Sequence, residues 1–458
     1  MPKSVCPISK TIQKFSSQPA IITGKNVLTY RALEERTQTA QDFLKRSGIK
    51  KNSRVAITSP ASVDYIVALV ALWRLGAVAC PLNTRLPAEL LKDQCEKLKC
   101  QVRLTDLSFG RTIPTKQEKA PKIFLDQPAT ILFTSGSSRE PKPAVHSFAN
   151  HYYNALGSNE NISVRAGDRW LLSLPLYHVS GLGILFRTLI SGGAIAIPAP
   201  NEDLAQALRK YKITHCSVVP TQLQRLLAQN TKPPQALKVL LVGGGSIPEL
   251  LIENALDKGW PVYITYGLTE MGSQVATSTA ADLRSKELNS AKILKFRSVK
   301  TASDGEILVK GKILFLGYLQ HNKPKLPLIK GWFKTGDFGL AVSKKRLKVF
   351  GRKDNMFISG GENIQPEEIE KYLRRFEFVK EAVVVPRKDK EFGFRPVAFM
   401  RINGNFFLKT AQIKESLQHS LPKYKIPVQF YPWTWEYSTG ESLKLDRRLL
   451  SQVVNQAK

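Results

Sequence analysis

Six short runs of aliphatic and β-branched residues, at positions 54–58, 76–81, 129–133, 170–174, 194–197 and 237–242, are bounded by Gly, Pro or Asp and alternate with longer, partly helical stretches. No other feature of the chain restricts its fold more. Strands that alternate with helices bury both faces of a sheet when they run mostly parallel and the helices cover them, so the fold class is α/β. Residues 30–47 place Leu33, Ala40, Phe43 and Leu44 at helical spacing and stop before Gly48, a residue suited to the turn that ends a helix. Residues 204–211 and 248–258 read as further helices. The polar, proline-containing stretch 106–128 reads as a loop leading into the strand at 129–133.

From residue 305 the pattern changes to short, hairpin-like strands at 305–311 and 347–350. After Gly351, Arg352, Lys353 and Asp354 comes an α+β stretch with a helix start in 364–370 and a strand at 382–386. We therefore expect a large multi-layer domain over 1–353, with mixed sheets, helices and a small β-barrel-like part, and a small α+β domain over 354–458. At 458 residues and 43% hydrophobic content, the chain can bury two or more ordinary cores.

Composition also limits location and partners. The longest apolar run, 65–73, stops at Arg74, well short of the roughly 20 residues that cross a bilayer, so no transmembrane segment is expected. The first residues lack the apolar stretch of a secretory signal. Five cysteines without a Cys-x-x-Cys spacing argue for a reducing compartment, hence a cytoplasmic protein, and against a disulfide or metal framework. The net charge of +31 is concentrated: residues 291–353 hold 16 Lys or Arg against 3 Asp or Glu. Such a surface can be merely solvated, or can attract polyanionic substrates, nucleic acid or anionic lipid. No zinc finger, helix-turn-helix or RNA-binding aromatic motif accompanies it, so no specific nucleic acid partner is expected.

The chemistry concentrates in a few segments. Residues 132–142 read Leu-Phe-Thr-Ser-Gly-Ser-Ser-Arg-Glu-Pro-Lys. The hydroxyls of Thr134, Ser135, Ser137 and Ser138, the turn-permitting Gly136 and the cation of Lys142 can all donate to phosphate oxygens. The spacing is not that of a Walker loop. Gly243, Gly244 and Gly245 follow a hydrophobic strand and precede a helix, which lets a flat ligand approach the backbone. Tyr266, Thr269 and Glu270 place an aromatic, a hydroxyl and a carboxylate within five residues, and Glu270 suits Mg²⁺. Asp337 and Arg352 offer a carboxylate for a ribose diol and a guanidinium.

In this order, from residue 28 to Arg447, these segments resemble the adenylate-forming superfamily of acyl-CoA synthetases, luciferases and peptide-synthetase adenylation domains. The resemblance implies ATP, CoA and Mg²⁺ as cofactors and a small-molecule acid as substrate. It makes Thr134 to Ser138 and Lys142 the triphosphate loop, with Gly243 to Gly245 and Tyr266 flanking adenine. Thr269 would touch the α-phosphate, Glu270 the Mg²⁺, and Asp337 and Arg352 the ribose. Asp354 would be the hinge about which a mobile C-terminal domain rotates between half-reactions, with Gly360 and Gly361 lining the thioester-forming site. Lys444 matches the catalytic lysine, since its spacing to Arg447 fits, although the usual preceding glycine is displaced. A cation there would stabilise the charge that develops when a carboxylate attacks the α-phosphate. Arg139 departs from the superfamily's glycine; it either strains the turn, by about 1 kcal/mol, or contributes a guanidinium to pyrophosphate.

Residues 175–183, containing His178 and Ser180, fall where such enzymes build the acid pocket, and they include no aspartate that could bind an α-ammonium. His178 is implied to contact the reacting carboxylate or gate the pocket. Residues 171–181, 218–223 and 266–274 resemble bacterial 2-succinylbenzoate-CoA ligases of menaquinone synthesis, which implies a dianionic aromatic acid reached from His178, Ser180 and Gln222. A general acyl- or aryl-CoA ligase is the alternative, and a catalytically dead nucleotide- or nucleic-acid-binding relative a third. Homo-oligomerisation is left open.

Overall fold

The alternation resolves into two large sheets around a shared helical core. The computed structural model describes residues 4–109, 122–123, 125–134, 141–245, 247–284, 290–360, 362–433 and 447–456. The larger sheet has fourteen strands. Its parallel half runs Pro19–Thr23, Ala194–Ile197, Arg169–Leu171, His215–Val218, Val239–Val242 and Val262–Leu268 in spatial order. Every residue of Ala194–Ile197, His215–Val218 and Val239–Val242 is buried, because helices cover both faces of these strands.

The other half of this sheet is antiparallel, running through Ser273–Ser278, Ala291–Ile293, Arg346–Arg352, Trp332–Ser343, Glu306–Gly311 and Arg297–Thr301. This wing is the β-rich part expected after residue 305. The second sheet runs Val102–Leu104, Arg54–Ile57, Val78–Pro81, Pro128–Phe133, Pro143–Ser147, Gly317–Gln320 and Lys323–Lys325. It is parallel up to Pro128–Phe133 and antiparallel beyond.

One core joins the two sheets through the helices Val63–Leu75, Phe148–Asn159 and Val179–Leu189. The apolar run 65–73 is therefore an interior helix, buried on all sides and ended by Gly76 at φ 71°. Arg74 is tolerated there because its guanidinium meets Glu34 through two hydrogen bonds, 2.8 and 2.6 Å, and donates to Ser9 Oγ at 2.9 Å. Helix Tyr30–Arg46 is capped by the Thr29 hydroxyl, which accepts from Ala32 N, and Gly48 follows at φ 81°. The strand expected at 170–174 is shorter, and the expected helix at 248–258 begins at Glu249. Within the expected loop 106–128, Lys122–Ile123 pairs with Ser4–Val5; 110–121 lie outside the described residues.

Beyond residue 356 the hairpin Val379–Asp389 and Gly393–Ile402, extended in parallel by Gln429–Pro432, carries helices Pro366–Leu373, Phe406–Ser420 and Arg447–Gln456. Its two apolar clusters draw only on residues after 356. Glu370, fully buried, is paired with Arg447 through contacts of 2.5 and 2.8 Å and accepts from Val384 N at 2.8 Å. Among the described residues no helix is long and apolar enough to cross a membrane.

Candidate active site

The strand Pro128–Phe133 delivers Thr134 to a neck at which the chain closes on itself: Thr134 N donates to Lys142 O at 2.9 Å, and Lys142 N donates to Thr134 Oγ1 at 3.2 Å. Ser135, Gly136, Ser137, Ser138 and Arg139, between these two residues, lie outside the described residues, as do Gly361 and Lys444. The Lys142 ammonium stands 5.4 Å from the centre of the Tyr318 ring, and the Tyr318 hydroxyl donates to Glu270 Oε1 at 2.5 Å. Burial, and then the Glu270 carboxylate, push the Tyr318 phenol up, so it remains a donor. Glu270 itself is fixed from behind, its carbonyl accepting from Phe315 N at 2.8 Å. A cation, a phenol and a carboxylate thus form one chain beside the neck made by Thr134 and Lys142.

Glu270 lies in the short turn Thr269–Met271 that follows strand Val262–Leu268, so it shares a strand end with Tyr266. The Tyr266 hydroxyl donates to Asp337 Oδ2 at 2.6 Å, and Arg352 Nη1 donates to Asp337 Oδ1 at 3.0 Å. Asp337 and Arg352 are direct cross-strand partners, which explains why residues fifteen apart meet. Burial pushes the Asp337 carboxyl up, against the opposing pull of Tyr266 and Arg352. Gly243 is partly a packing requirement: a Cβ there would lie 2.6 Å from Thr265 Cγ2 and 3.0 Å from Thr265 O. Gly244 takes φ 84°, and a Cβ on Gly245 would meet nothing within 4 Å, leaving that backbone open to a ligand.

Thr269 is anchored by a residue for which the sequence offered no signal. His146 Nε2 lies 2.7 Å from the Thr269 carbonyl and must donate to it. Complete burial pushes the His146 pKa down to about 4, so the ring is neutral. His146 sits against His151, whose Nε2 meets Thr130 Oγ1 at 2.7 Å on the strand Pro128–Phe133.

The segment expected to build the acid pocket runs into a helix. His178 is the N-cap residue of helix Val179–Leu189, edge-on to Tyr177 at 4.7 Å, and Ser180 is half-buried in the first helical turn. Gly181 is obligatory, since a Cβ would lie 2.1 Å from Pro175 O. Gln222, expected to reach the acid, has its side chain engaged with the backbone: Oε1 accepts from Val219 N at 3.0 Å, capping helix Pro220–Ala228, and Nε2 meets Ser173 O at 3.4 Å. About two and a half turns beyond His178, Arg187 is 1% exposed, its guanidinium 4.6 Å from the Trp170 ring centre, and its Nε and Nη1 have no hydrogen-bond partner among the described residues. Burial lowers its pKa to about 9. A lone cation inside an apolar helix was the readable signal for this residue. Elsewhere, Gly360 takes φ 55°, and a Cβ there would lie 2.8 Å from the Phe392 ring.

The model of the AMP-binding enzyme family matches residues 8–123 and 107–319. A 2-succinylbenzoate-CoA ligase of Bacillus cytotoxicus is 34% identical over 95% of this chain and 96% of its own length. The chain belongs to the AMP-binding enzyme family. A second relative in that family, the 2-succinylbenzoate-CoA ligase of Haemophilus influenzae, is 35% identical over 95% of both chains. Among solved structures, o-succinylbenzoate CoA synthetase from Bacillus subtilis in complex with its acyl-adenylate intermediate superposes with a TM-score of 0.86, at 29% identity over 98% of each chain. The same enzyme with ATP and a magnesium ion gives 0.83, also at 29%, over 94% of this chain and 96% of that one. Of the residues described above, Thr134 through Tyr318 lie inside the family match; Asp337, Arg352 and Gly360 lie beyond it, within the span shared with the full-length relatives.

Proposed function

We propose that this AMP-binding enzyme joins 2-succinylbenzoate to CoA at the expense of ATP, through an acyl-adenylate, as in menaquinone synthesis. The acid carboxylate attacks the α-phosphate and pyrophosphate leaves; the CoA thiol then attacks the acyl carbonyl and AMP leaves. Thr134, Lys142 and the loop between them hold the β- and γ-phosphates. Asp337, oriented by Tyr266 and Arg352, accepts the ribose hydroxyls, and Gly243 to Gly245 with Tyr266 flank adenine. Thr269 donates to the α-phosphate. The Glu270 carboxylate fits Mg²⁺, which prefers one or two carboxylates, phosphate oxygens and retained water; among the described residues no cluster of three or more acidic, Cys or His groups could hold a metal without the nucleotide. When bound, that ion draws charge from the phosphate oxygens. Lys444 approaches both anions in the first step only, and Gly360 and Gly361 line the path of the thiol. Residues 1–353 and 354–458 act as two domains, and the protein works in the cytoplasm.

The acid assignment is carried by Arg187. A buried guanidinium with two unpartnered nitrogens beyond His178 is uncompensated without an anion, and 2-succinylbenzoate brings a second carboxylate after the first has been committed to the α-phosphate. The test is kcat/KM for CoA-thioester formation with 2-succinylbenzoate, benzoate and octanoate in wild type and in Arg187→Met. We expect the dianion to be preferred by wild type, and the variant to lose about 100-fold with it while treating benzoate as before. A wild-type preference for benzoate or octanoate would remove the substrate. In the same assay Lys444→Ala should slow adenylation about 10²- to 10³-fold and spare thioester formation from preformed acyl-adenylate.

A further inference from the structure

The antiparallel wing has an outward face that no described residue covers. Along Trp332–Ser343 burial alternates: Phe333, Thr335, Asp337 and Gly339 point inward, while Leu340 and Val342 are 48% and 56% exposed. Leu340 is the cross-strand partner of Lys348, whose ammonium stands 5.7 Å from the ring of Phe350, itself 38% exposed. Lys344 and Lys345, both exposed, form the tip of the same hairpin. Branched apolar side chains therefore alternate with cations on one surface, in the very segment where 16 basic residues meet 3 acidic ones.

Charge restricts what can cover such a face. Residues 354–458 hold 17 Lys or Arg against 13 Asp or Glu, so docking them elsewhere on the molecule would leave these cations uncompensated. A second copy of a chain at +31 would be repelled. Nucleic acid would neutralise the lysines but leave Leu340 and Val342 in water. An anionic bilayer satisfies both, offering phosphate headgroups to the ammonium groups and the acyl boundary to the apolar side chains.

We propose that the outer face of the hairpin tip, residues 340–350, docks this protein on the surface of a bilayer containing anionic phospholipid. The face lies outside the catalytic machinery, so docking places the enzyme without altering its chemistry.

The test is co-sedimentation of the full chain with vesicles of phosphatidylcholine, with and without about 30% phosphatidylglycerol, at low and high salt. Wild type should pellet only with the anionic vesicles and be released by salt. Leu340→Ser with Val342→Ser, and separately Lys344→Glu with Lys345→Glu, should each weaken retention about tenfold or more while acid-dependent pyrophosphate release is unchanged. Should the serine pair impair folding, the loop-tip pair, which removes no packing, carries the comparison against Lys10→Glu with Lys14→Glu on the distant first helix, which should retain vesicle binding. The proposal is overturned if wild type does not pellet with anionic vesicles, if the distant pair weakens retention as much as the loop-tip pair, if a folded serine pair binds normally, or if single-stranded RNA displaces the vesicles and binds more tightly.

Discussion

Tyr318 does two jobs with one side chain: its ring receives the Lys142 ammonium and its hydroxyl holds Glu270. Tyr318→Phe separates them, since the ring survives and the donor does not. A hydrogen bond to a charged group contributes about 1.5 to 3 kcal/mol, so kcat/KM for ATP should fall roughly 10- to 100-fold, measured as pyrophosphate release at varied ATP and Mg²⁺. An unchanged value would remove Tyr318 from the site. His146 allows a test at the same scale by pH. Its folded pKa is depressed by burial to about 4, below the ordinary 6.5. The unfolded ring therefore takes up a proton that the folded ring refuses, so the stability it contributes is complete above pH 6.5 and is lost as pH falls towards about 4. At pH 5 that loss is about 2 kcal/mol. His146→Gln, which keeps a donor for Thr269, should lose about that much less than wild type between pH 7 and 5 in denaturant titrations. Identical pH slopes would show that His146 is not held neutral.

Elements differ in how openly the sequence declares them. Strands such as Ala194–Ile197 and Val239–Val242 were readable because burial on both faces leaves an uninterrupted apolar run. Tyr266, Thr269 and Glu270 were readable because they are contiguous at one strand end. Tyr318 was not: it reaches Glu270 from Gly317–Gln320, a strand of the other sheet that is paired with Pro143–Ser147, and only the tertiary crossover brings it there. Gln222 misled because a side chain at the third position of a helix can cap its own N-terminus as readily as meet a ligand. The helix Val179–Leu189, proposed to line the acid pocket, offers a sharper test. Gly181→Ala would put a methyl 2.1 Å from Pro175 O, so the turn carrying His178 must move. Overpacking costs about 1 to 3 kcal/mol, and the displaced pocket should lose activity beyond what that loss of stability accounts for at 25 °C. Retained kcat/KM for the acid would mean that this turn does not build the pocket. In the C-terminal part, Arg447→Met would remove the cation with two contacts to the fully buried Glu370 carboxylate and leave it Arg374 at 3.2 Å and Val384 N at 2.8 Å. We expect a loss of about 3 kcal/mol, the low end for a broken buried pair because Arg374 remains beside the carboxylate, partly restored by adding Glu370→Gln, read from unfolding midpoints.

At the scale of the whole molecule, the two large sheets and the smaller part beyond residue 356 meet through a short connection that carries polar contacts. Arg352 bridges Asp337 and Asp354 at 3.0 Å each, Lys353 reaches Asp304 at 2.5 Å, and Asn355 reaches Glu367 at 2.5 Å. Further out, Lys371 meets Glu249 at 2.9 Å. Of these, the pairs that join residues 1–353 to residues 354–458, Arg352 with Asp354 and Lys371 with Glu249, are partly exposed and contribute about 1 kcal/mol or less each, so a rotation that exchanges them for water costs little. Asp354 belongs to the one-turn helix Lys353–Asn355. Such a turn has φ near −50° to −70°, which proline would fix at about −65°. Asp354→Pro should therefore hold the arrangement seen here, while Asp354→Ala loses the same ion pair with Arg352 and keeps the freedom to turn. Adenylation, followed by pyrophosphate release, and thioester formation from preformed acyl-adenylate are then measured separately for both variants. If the C-terminal residues must rotate between the two steps, the proline variant keeps one and loses the other by at least about tenfold, whereas the alanine variant retains both. Equal losses in both steps for the proline variant, with its unfolding transition intact, would mean that one arrangement serves both reactions.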